Sequence, residues 1–276
     1  MKKSNRFLSK RFILLNRISF CNLKKKRVQM LSCLKSIYYD VHDLCPLPEN
    51  YVFRAIINKT STPYDSITRI SYNPDPKYIS RANLIGQGIG YYACALDISI
   101  IEACQEQLKS TNVRNFNLTV SKWKIKKTIP VQIICHSKQA QSKGTDLMEF
   151  YKATKNKRKK DLPAGKYRTW CLKMQFIANQ YAKTEILCNK DYYISAWHSK
   201  SILNHPEIDG IIYPSVPYIY KGFNYAFSPY VFKNSNLELE EVSQYTVQFN
   251  KNNVREYPYI ELIKSTKRYI NDKIIW

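Results

Sequence analysis

The apolar and polar residues of this chain follow two periodic patterns, which predict strands separated by a few helices. Runs rich in β-branched and aromatic residues predict the strands. We expect them at 51–57, 91–96, 116–125, 129–135, 211–213 and 224–231. Segments with apolar residues at helical spacing predict helices at 98–108, 167–183 and 191–203. This order of elements indicates a mixed α+β domain.

Two local features add detail to this prediction. Only a short turn separates 116–125 from 129–135, so we expect these two strands to pair antiparallel. The helix at 98–108 should begin near Asp97, which can act as its cap. Glu102 would then lie in about the first turn, where the helix dipole favours an ionised carboxylate.

The chain is expected to consist of three consecutive parts. Residues 1–49 form a basic N-terminal extension and a linker, since there is no acid before Asp40 and two prolines follow within 40–50. Residues 50–233 form the main domain, and residues 234–276 form a C-terminal tail packed on it. The extension is predicted to be helical, and a mitochondrial transit segment is an open alternative.

Two further stretches are predicted loops. Residues 58–80 are rich in Thr, Ser, Pro, Asn and Asp, and a loop of this length within a compact domain is usually functional. Residues 155–166 contain the basic run from Lys155 to Lys160, which we expect to be a solvated loop.

Composition limits the functional classes. The formal net charge of +23 suits nucleic acid, an anionic membrane or a phosphate-rich ligand. The abundance of Lys, Asn, Ile, Tyr and Phe is also typical of AT-rich codons, so charge alone does not predict a nucleic-acid partner.

The eight cysteines form no Cys-x-x-Cys pair, which is typical of reduced thiols in a cytoplasmic protein and argues against structural zinc. No stretch is long and apolar enough to predict a transmembrane segment.

The chemistry-bearing residues are concentrated in one block. Within 22 residues the block contains Arg81, Asn83, Gly86, Tyr91 and Glu102. Three of the seven glycines of the chain lie between residues 86 and 90, which predicts a backbone that turns tightly or lies close to a ligand.

A second block and two single residues complete the pattern. Residues 209–216 read Asp-Gly-Ile-Ile-Tyr-Pro-Ser-Val and include Ser215. Arg54 precedes the first block, and Asn224 follows the second. In order and spacing these residues resemble the RES domain family, whose name comes from its Arg, Glu and Ser, over about residues 50 to 230.

The resemblance implies a fold and an activity. The fold would be ADP-ribosyltransferase-like, with a split β-sheet, a cleft and surrounding helices. The protein would be an enzyme that consumes NAD as its substrate without a metal, and several members of this family are toxins held in check by a protein antitoxin. Water or phosphate would accept the ADP-ribosyl group.

The resemblance also assigns roles that agree with the chemistry. Cleavage of the nicotinamide–ribose bond develops positive charge on the ribose, which the Glu102 carboxylate would stabilise. The phosphates of NAD require cations, and the nicotinamide ring suits an aromatic face. The other candidates are Arg54 and Arg81 for the phosphates, Tyr91 for the nicotinamide, Ser215 for the ribose, and Asn83, Gly86 and Asn224 as further NAD-binding residues.

Two alternatives remain open. The protein could transfer ADP-ribose to an acceptor protein, with residues 58–80 supplying the contact surface. It could instead be a basic nucleic-acid-binding module that uses the N-terminal extension and Lys155–Lys160, in which case binding would depend on salt and survive Glu102→Ala. The sequence also leaves a homo-oligomer open.

Overall fold

The computed structural model describes residues 41–47, 50–250 and 257–276. The predicted N-terminal extension therefore lies almost entirely outside the described residues. The fold is mixed α+β, as predicted. Among the described residues, no helix is both long and apolar enough to cross a membrane.

The strands and helices are numbered separately in chain order. The strands are β1 (Val41–Leu44), β2 (Tyr51–Ile57), β3 (Gly90–Ala93), β4 (Asn115–Ile125), β5 (Ile129–Ile133), β6 (Gly210–Pro214), β7 (Phe223–Phe227), β8 (Leu237–Gln248), β9 (Tyr259–Thr266), β10 (Tyr269–Ile270) and β11 (Lys273–Ile274). The helices are α1 (Ile67–Ser71), α2 (Leu96–Ser110), α3 (Lys138–Ser142), α4 (Met148–Asp161), α5 (Ala164–Tyr181), α6 (Tyr193–Leu203) and α7 (Pro229–Lys233). A 3₁₀ turn, Asn189–Tyr192, precedes α6.

The described chain divides into two compact units, each assembled from separated segments. The helical unit contains residues 75–87 and 130–221, and the sheet unit contains residues 43–74, 88–129 and 222–276. The sequence instead suggested three consecutive parts with boundaries at residues 50 and 233.

The sheet unit is built on six antiparallel strands in the order β7-β3-β2-β4-β8-β9. Helix α2 covers one face, where Ile100 and Cys104 pack with Phe116 and Leu118 of β4. The opposite face of β4 is also buried, and Thr119 there accepts a hydrogen bond from the backbone of residue 64 at 3.0 Å. Both faces of β4 are therefore buried.

The helical unit contains the parallel pair β5 and β6. The predicted antiparallel pairing of 116–125 with 129–135 is therefore wrong: β4 pairs with β2 and β8 instead. Parallel strands need a long crossover connection, and residues 134–209, with α3 to α6, supply it. Helix α5 buries Trp170, Met174 and Ile177 at helical spacing along one face.

The predicted basic loop at 155–166 is also wrong, because its first seven residues belong to helix α4. Thr154 of α4 is buried, and Tyr151 and Arg158, one turn away on either side, are half-buried. This is the spacing of a helix face that packs inward. Lysine is a good helix former, so a run of lysines is compatible with a helix whose other face packs inward.

Other predicted segments contain more structure than expected. Residues 41–44, within the predicted linker, form β1, and residues 58–80 contain the short helix α1. The C-terminal residues supply strands β8 and β9 to the sheet unit. Their last segment fixes the N-terminus of α1, since Asp272 accepts hydrogen bonds from Ser66 Oγ at 2.6 Å and from the Thr68 amide at 2.7 Å.

Candidate functional site

Arg54 and Tyr91 are in contact in the sheet unit. Arg54 lies in β2 and Tyr91 in the neighbouring strand β3. Arg54 Nη1 donates a hydrogen bond to the Tyr91 carbonyl oxygen at 3.1 Å. This contact fixes one end of the guanidinium group against β3, which begins at Gly90, the last of the three clustered glycines.

The charge of Arg54 is not neutralised by a carboxylate among the residues that the structure describes. Its Nε atom is buried and has no hydrogen-bond partner within the described chain. Burial lowers the pKa of Arg54 from its ordinary value, and the nearby charge of Arg69 lowers it further. A guanidinium in this environment would gain from an anionic ligand.

Glu102 and Asn224 form the second contact of the sheet unit. Asn224 Nδ2 donates a hydrogen bond to Glu102 Oε1 at 2.6 Å. Asn224 is buried in β7, and Glu102 is half-buried on α2. The amide fixes the direction of the carboxylate, which is the group that the sequence assigned to the ribosyl cation.

The register of three adjacent strands fixes the places of Arg54, Tyr91 and Asn224 in the sheet. Residue Ala93 of β3 pairs with Phe53 of β2 on one side and with Asn224 of β7 on the other. Arg54 directly follows Phe53 in β2. Because side chains alternate along a strand, the Arg54 side chain points to the opposite face of the sheet from those of Phe53, Ala93 and Asn224.

Helix α2 differs in detail from its prediction. It begins at Leu96, with Ala95 as its N-cap, so Asp97 lies inside the helix rather than at the cap. Glu102 is consequently in the second turn. Because the helix dipole acts mainly within the first turn, it contributes less to Glu102 than predicted.

Arg81 belongs to the helical unit, where it is held by backbone carbonyls. Its Nη1 atom donates to the Tyr181 oxygen at 2.5 Å and to the Lys183 oxygen at 3.2 Å. Its guanidinium carbon lies 5.0 Å from the centre of the Tyr192 ring, as in a cation–π contact. No carboxylate within the described ranges forms an ion pair with Arg81. A guanidinium oriented in this way is suited to an anion.

Asn83 and Gly86 shape the turn that follows Arg81. The buried Asn83 amide donates to the carbonyl oxygens of Tyr78 and Leu84, each at 3.0 Å. Gly86 has a φ of +71°, which favours glycine, and its amide donates to the Pro76 oxygen at 2.9 Å. The tight turn expected from the glycines is therefore present at Gly86.

The other two glycines of the block are in close contact with the protein itself. A Cβ atom on Gly88 would lie 3.1 Å from the Pro74 carbonyl oxygen. One on Gly90 would lie 2.8 Å from Cζ of Phe232. A side chain would therefore crowd its neighbours within the sheet unit at both positions, more severely at Gly90.

Ser215 follows β6 in the helical unit and is fully buried. Its carbonyl oxygen accepts a hydrogen bond from the Tyr220 amide at 2.7 Å. The predicted residues are thus divided equally between the units. The sheet unit contains Arg54, Tyr91, Glu102 and Asn224, and the helical unit contains Arg81, Asn83, Gly86 and Ser215.

Sequence reasoning missed the residues that orient Arg81. They are the carbonyl groups of Tyr181 and Lys183 and the ring of Tyr192. Backbone carbonyls carry no sequence signal, and one tyrosine among 22 does not stand out. Within the described residues, no cluster of His, Cys, Asp and Glu has an arrangement that could hold a metal ion.

Comparison with protein-family models gives no match for this chain. Comparison with curated proteins gives none either.

Proposed function

We propose that this protein cleaves the nicotinamide–ribose bond of NAD. The observation that carries the proposal is the hydrogen bond between Glu102 and Asn224, two residues 122 positions apart that the RES-like pattern had selected independently. Arg54 and Tyr91, selected by the same pattern, are in contact within the same unit. The side-chain bond between Glu102 and Asn224 supports the resemblance on which the proposed activity rests, whereas the Arg54 bond goes to a backbone carbonyl and does not depend on the Tyr91 side chain.

Glu102 would act on the ribose. As the neutral nicotinamide leaves, positive charge develops on the ribose carbon, and a carboxylate of fixed direction stabilises that charge. The Asn224 amide holds the carboxylate in place, so little reorganisation is needed during the reaction. Attack by water would give ADP-ribose, nicotinamide and a proton, and attack by phosphate would give ADP-ribose 1″-phosphate and nicotinamide.

The arginines would bind the phosphates. Arg54 and Arg81 each have one guanidinium nitrogen bound to backbone carbonyls, so the positive charge is oriented without being neutralised. Phosphate oxygens are the usual partners of such a group. By the same resemblance, the physiological setting would be growth arrest restrained by a protein antitoxin.

The test is NAD concentration over time with purified protein, comparing wild type, Glu102→Gln and Glu106→Gln. Glu106 lies one turn further along α2 and is exposed, so it is a matched control. We expect wild type and Glu106→Gln to consume NAD, and Glu102→Gln to be slower by about 10²-fold or more, as for loss of one preorganised electrostatic group. Stable NAD in every reaction would overturn free NAD cleavage.

The products identify the acceptor. Chromatography of the reaction with and without phosphate separates ADP-ribose from ADP-ribose 1″-phosphate. If NAD is lost only when cell proteins are added, and one of them gains ADP-ribose, the enzyme is a protein ADP-ribosyltransferase. That result would retain the roles of Glu102 and the arginines while changing the acceptor.

A second candidate function is binding of duplex nucleic acid by helix α4, and one observation favours it. The exposed face of α4 carries five exposed lysines, namely Lys152, Lys155, Lys157, Lys159 and Lys160. Phe150 near the start of α4 is an exposed aromatic, but between residues 152 and 160 this face has no large apolar side chain to insert into a membrane. Lysines suit the phosphate backbone rather than a particular base sequence.

Salt dependence tests this second function. Replacing three lysines of α4 by glutamine should reduce the slope of log affinity against log salt by about 2 to 3 if each contacts a phosphate. The α4 variant is Lys157→Gln, Lys159→Gln and Lys160→Gln, and its charge-matched control is Lys264→Gln, Lys267→Gln and Lys273→Gln. An equal effect of both variants, or binding to anionic vesicles but not to duplex, would contradict the assignment.

A further inference from the structure

Tyr220 lies between Arg81 and Ser215 in the helical unit. It is buried, with 3% of its surface exposed, and packs with Ala140, Ala182 and Val216. Nothing in the sequence distinguishes it from the other tyrosines of the chain.

The backbone of Tyr220 is held in an uncommon conformation. Ile219 and Tyr220 have φ values of +53° and +62°, a region that non-glycine residues rarely adopt and that is costly for a β-branched residue. Such strain persists only where surrounding contacts hold it. One of these contacts is the hydrogen bond from the Tyr220 amide to the Ser215 oxygen at 2.7 Å.

The Tyr220 side chain is fixed at its other end. Its hydroxyl donates to the Ala182 carbonyl oxygen at 3.1 Å. The carbonyl groups on either side, those of Tyr181 and Lys183, are the two that accept from Arg81. The tyrosine hydroxyl and the guanidinium group therefore bind three consecutive carbonyls of one short segment.

Arg81 and the Tyr220 hydroxyl also interact electrostatically. Burial raises the pKa of Tyr220, and the positive charge of Arg81 opposes that rise. The hydroxyl is therefore neutral and available as a donor at physiological pH.

We propose that Tyr220 is a positioning residue that holds the 181–183 segment, and through it the Arg81 guanidinium, ready to bind the pyrophosphate of the substrate. The inference rests on the proposed function, since it concerns the same substrate. Tyr220 thereby connects the Ser215 carbonyl, which accepts from its amide, with the segment that holds Arg81, and the family pattern does not contain this residue. Because this link acts on binding, its loss should weaken the binding of the substrate and of the transition state by the same factor.

Tyr220→Phe tests the link, since it removes the hydroxyl and keeps the ring. The control is Tyr269→Phe, which removes a tyrosine hydroxyl that donates to the Thr266 carbonyl at the same 3.1 Å in the sheet unit. We expect Tyr220→Phe to weaken ADP-ribose binding about fivefold by calorimetry, the effect of one neutral hydrogen bond. Arg81→Gln should weaken it more, and Tyr269→Phe should leave it unchanged.

Steady-state kinetics on NAD supply the second readout. Tyr220→Phe should raise KM by the same factor and leave kcat within about twofold of wild type. Thermal melting of both tyrosine variants checks that each is folded.

The outcomes separate the two proposals. If ADP-ribose binds and Tyr220→Phe weakens binding, the positioning role stands even where NAD is not cleaved. If NAD is cleaved and Tyr220→Phe binds and reacts like wild type, the positioning role is overturned and the activity stands. Wild-type protein that fails to bind ADP-ribose, or a loss confined to kcat, also overturns the role.

Discussion

Asn224 Nδ2 lies 2.6 Å from Glu102 Oε1, so an amide on strand β7 orients a carboxylate on helix α2. Strand β3 lies between β7 and β2, and the pairing of Ala93 with Asn224 fixes where the amide stands. Sheet register thus places the amide, and the packing of α2 on the sheet brings the carboxylate to it. Reactions that develop positive charge depend on such prior orientation.

Asn224→Asp should convert this donor into a second carboxylate. The two carboxylates would repel each other unless one binds a proton, so the variant should recover activity relative to wild type as pH falls. We expect NAD cleavage at neutral pH to be slower by about tenfold or more, since the carboxylate loses its donor. The pH profile of kcat measures this, with Asn117→Asp on β4 as the control because its Oδ1 atom only accepts, from Thr246. Matching pH profiles for Asn224→Asp and wild type would contradict the assigned contact.

Gly222→Ala should destabilise the protein more than Gly86→Ala. Both glycines have positive φ, +60° and +71°, so both substitutions carry the cost of a left-handed backbone, about 1 to 2 kcal/mol. A Cβ on Gly222 would also overlap Cδ1 of the buried Ile98, whereas one on Gly86 meets nothing within 4 Å. Overlap in a packed interior adds about 1 to 3 kcal/mol. Urea unfolding of both variants checks the order, and equal losses would show that the Ile98 contact is not the cause.

Stability should fall as pH falls below 6.5, because two histidines are buried in the neutral form. Burial lowers the pKa of His136 to about 4 and that of His198 to about 3. Between these values and 6.5 the unfolded chain binds more protons than the folded one, so acid favours unfolding. Each histidine contributes at most about 1.4 kcal/mol per pH unit within its window.

Urea midpoints measured between pH 6.5 and about 5 check this dependence. Replacing both histidines by glutamine should reduce the slope of stability against pH, even if the variant is less stable overall. An unchanged slope in the double variant would assign the acid sensitivity to other groups.

Asp272→Asn should loosen the N-terminus of α1. The Asp272 carboxylate accepts from Ser66 Oγ and from both the amide and the hydroxyl of Thr68, and these bonds lower the pKa of Asp272. Because the carboxylate is exposed, we expect a cost of only about 1 kcal/mol. Faster hydrogen exchange at the Thr68 amide is the direct measurement. Asp161→Asn, at the exposed end of α4, is the control and should leave that amide unaffected.

Local sequence pattern predicted the elements that have a strong period of their own. Strand β2 occupies the predicted residues 51–57, and β4 lies within one residue of its prediction. Strand β2 is rich in β-branched and aromatic residues, and β4 alternates apolar and polar residues. Both patterns are local signals. Helix α4 was missed because its lysine-rich sequence was interpreted as a solvated loop. The inward face of the helix is marked only by Tyr151, Thr154 and Arg158.

Pairing partners could not be predicted in the same way. The choice of a parallel β6 for β5, across the connection 134–209, depends on how four helices pack. The tight turn that was one of the two expectations for the glycine-rich segment is present at Gly86. Its other two glycines lie against Pro74 and Phe232, contacts that the local sequence does not show.

The sequence by itself determined the α+β class, six of the eleven described strands, three of the seven described helices, and the residue types of the candidate site, because these depend on local periodicity and on spacing along the chain. Only the tertiary structure decided which candidates meet. Glu102 reaches Asn224 because α2 packs on the sheet, and Arg81 is oriented by backbone carbonyls that every residue possesses. Contacts of this kind arise from packing between distant segments, and no single segment encodes them.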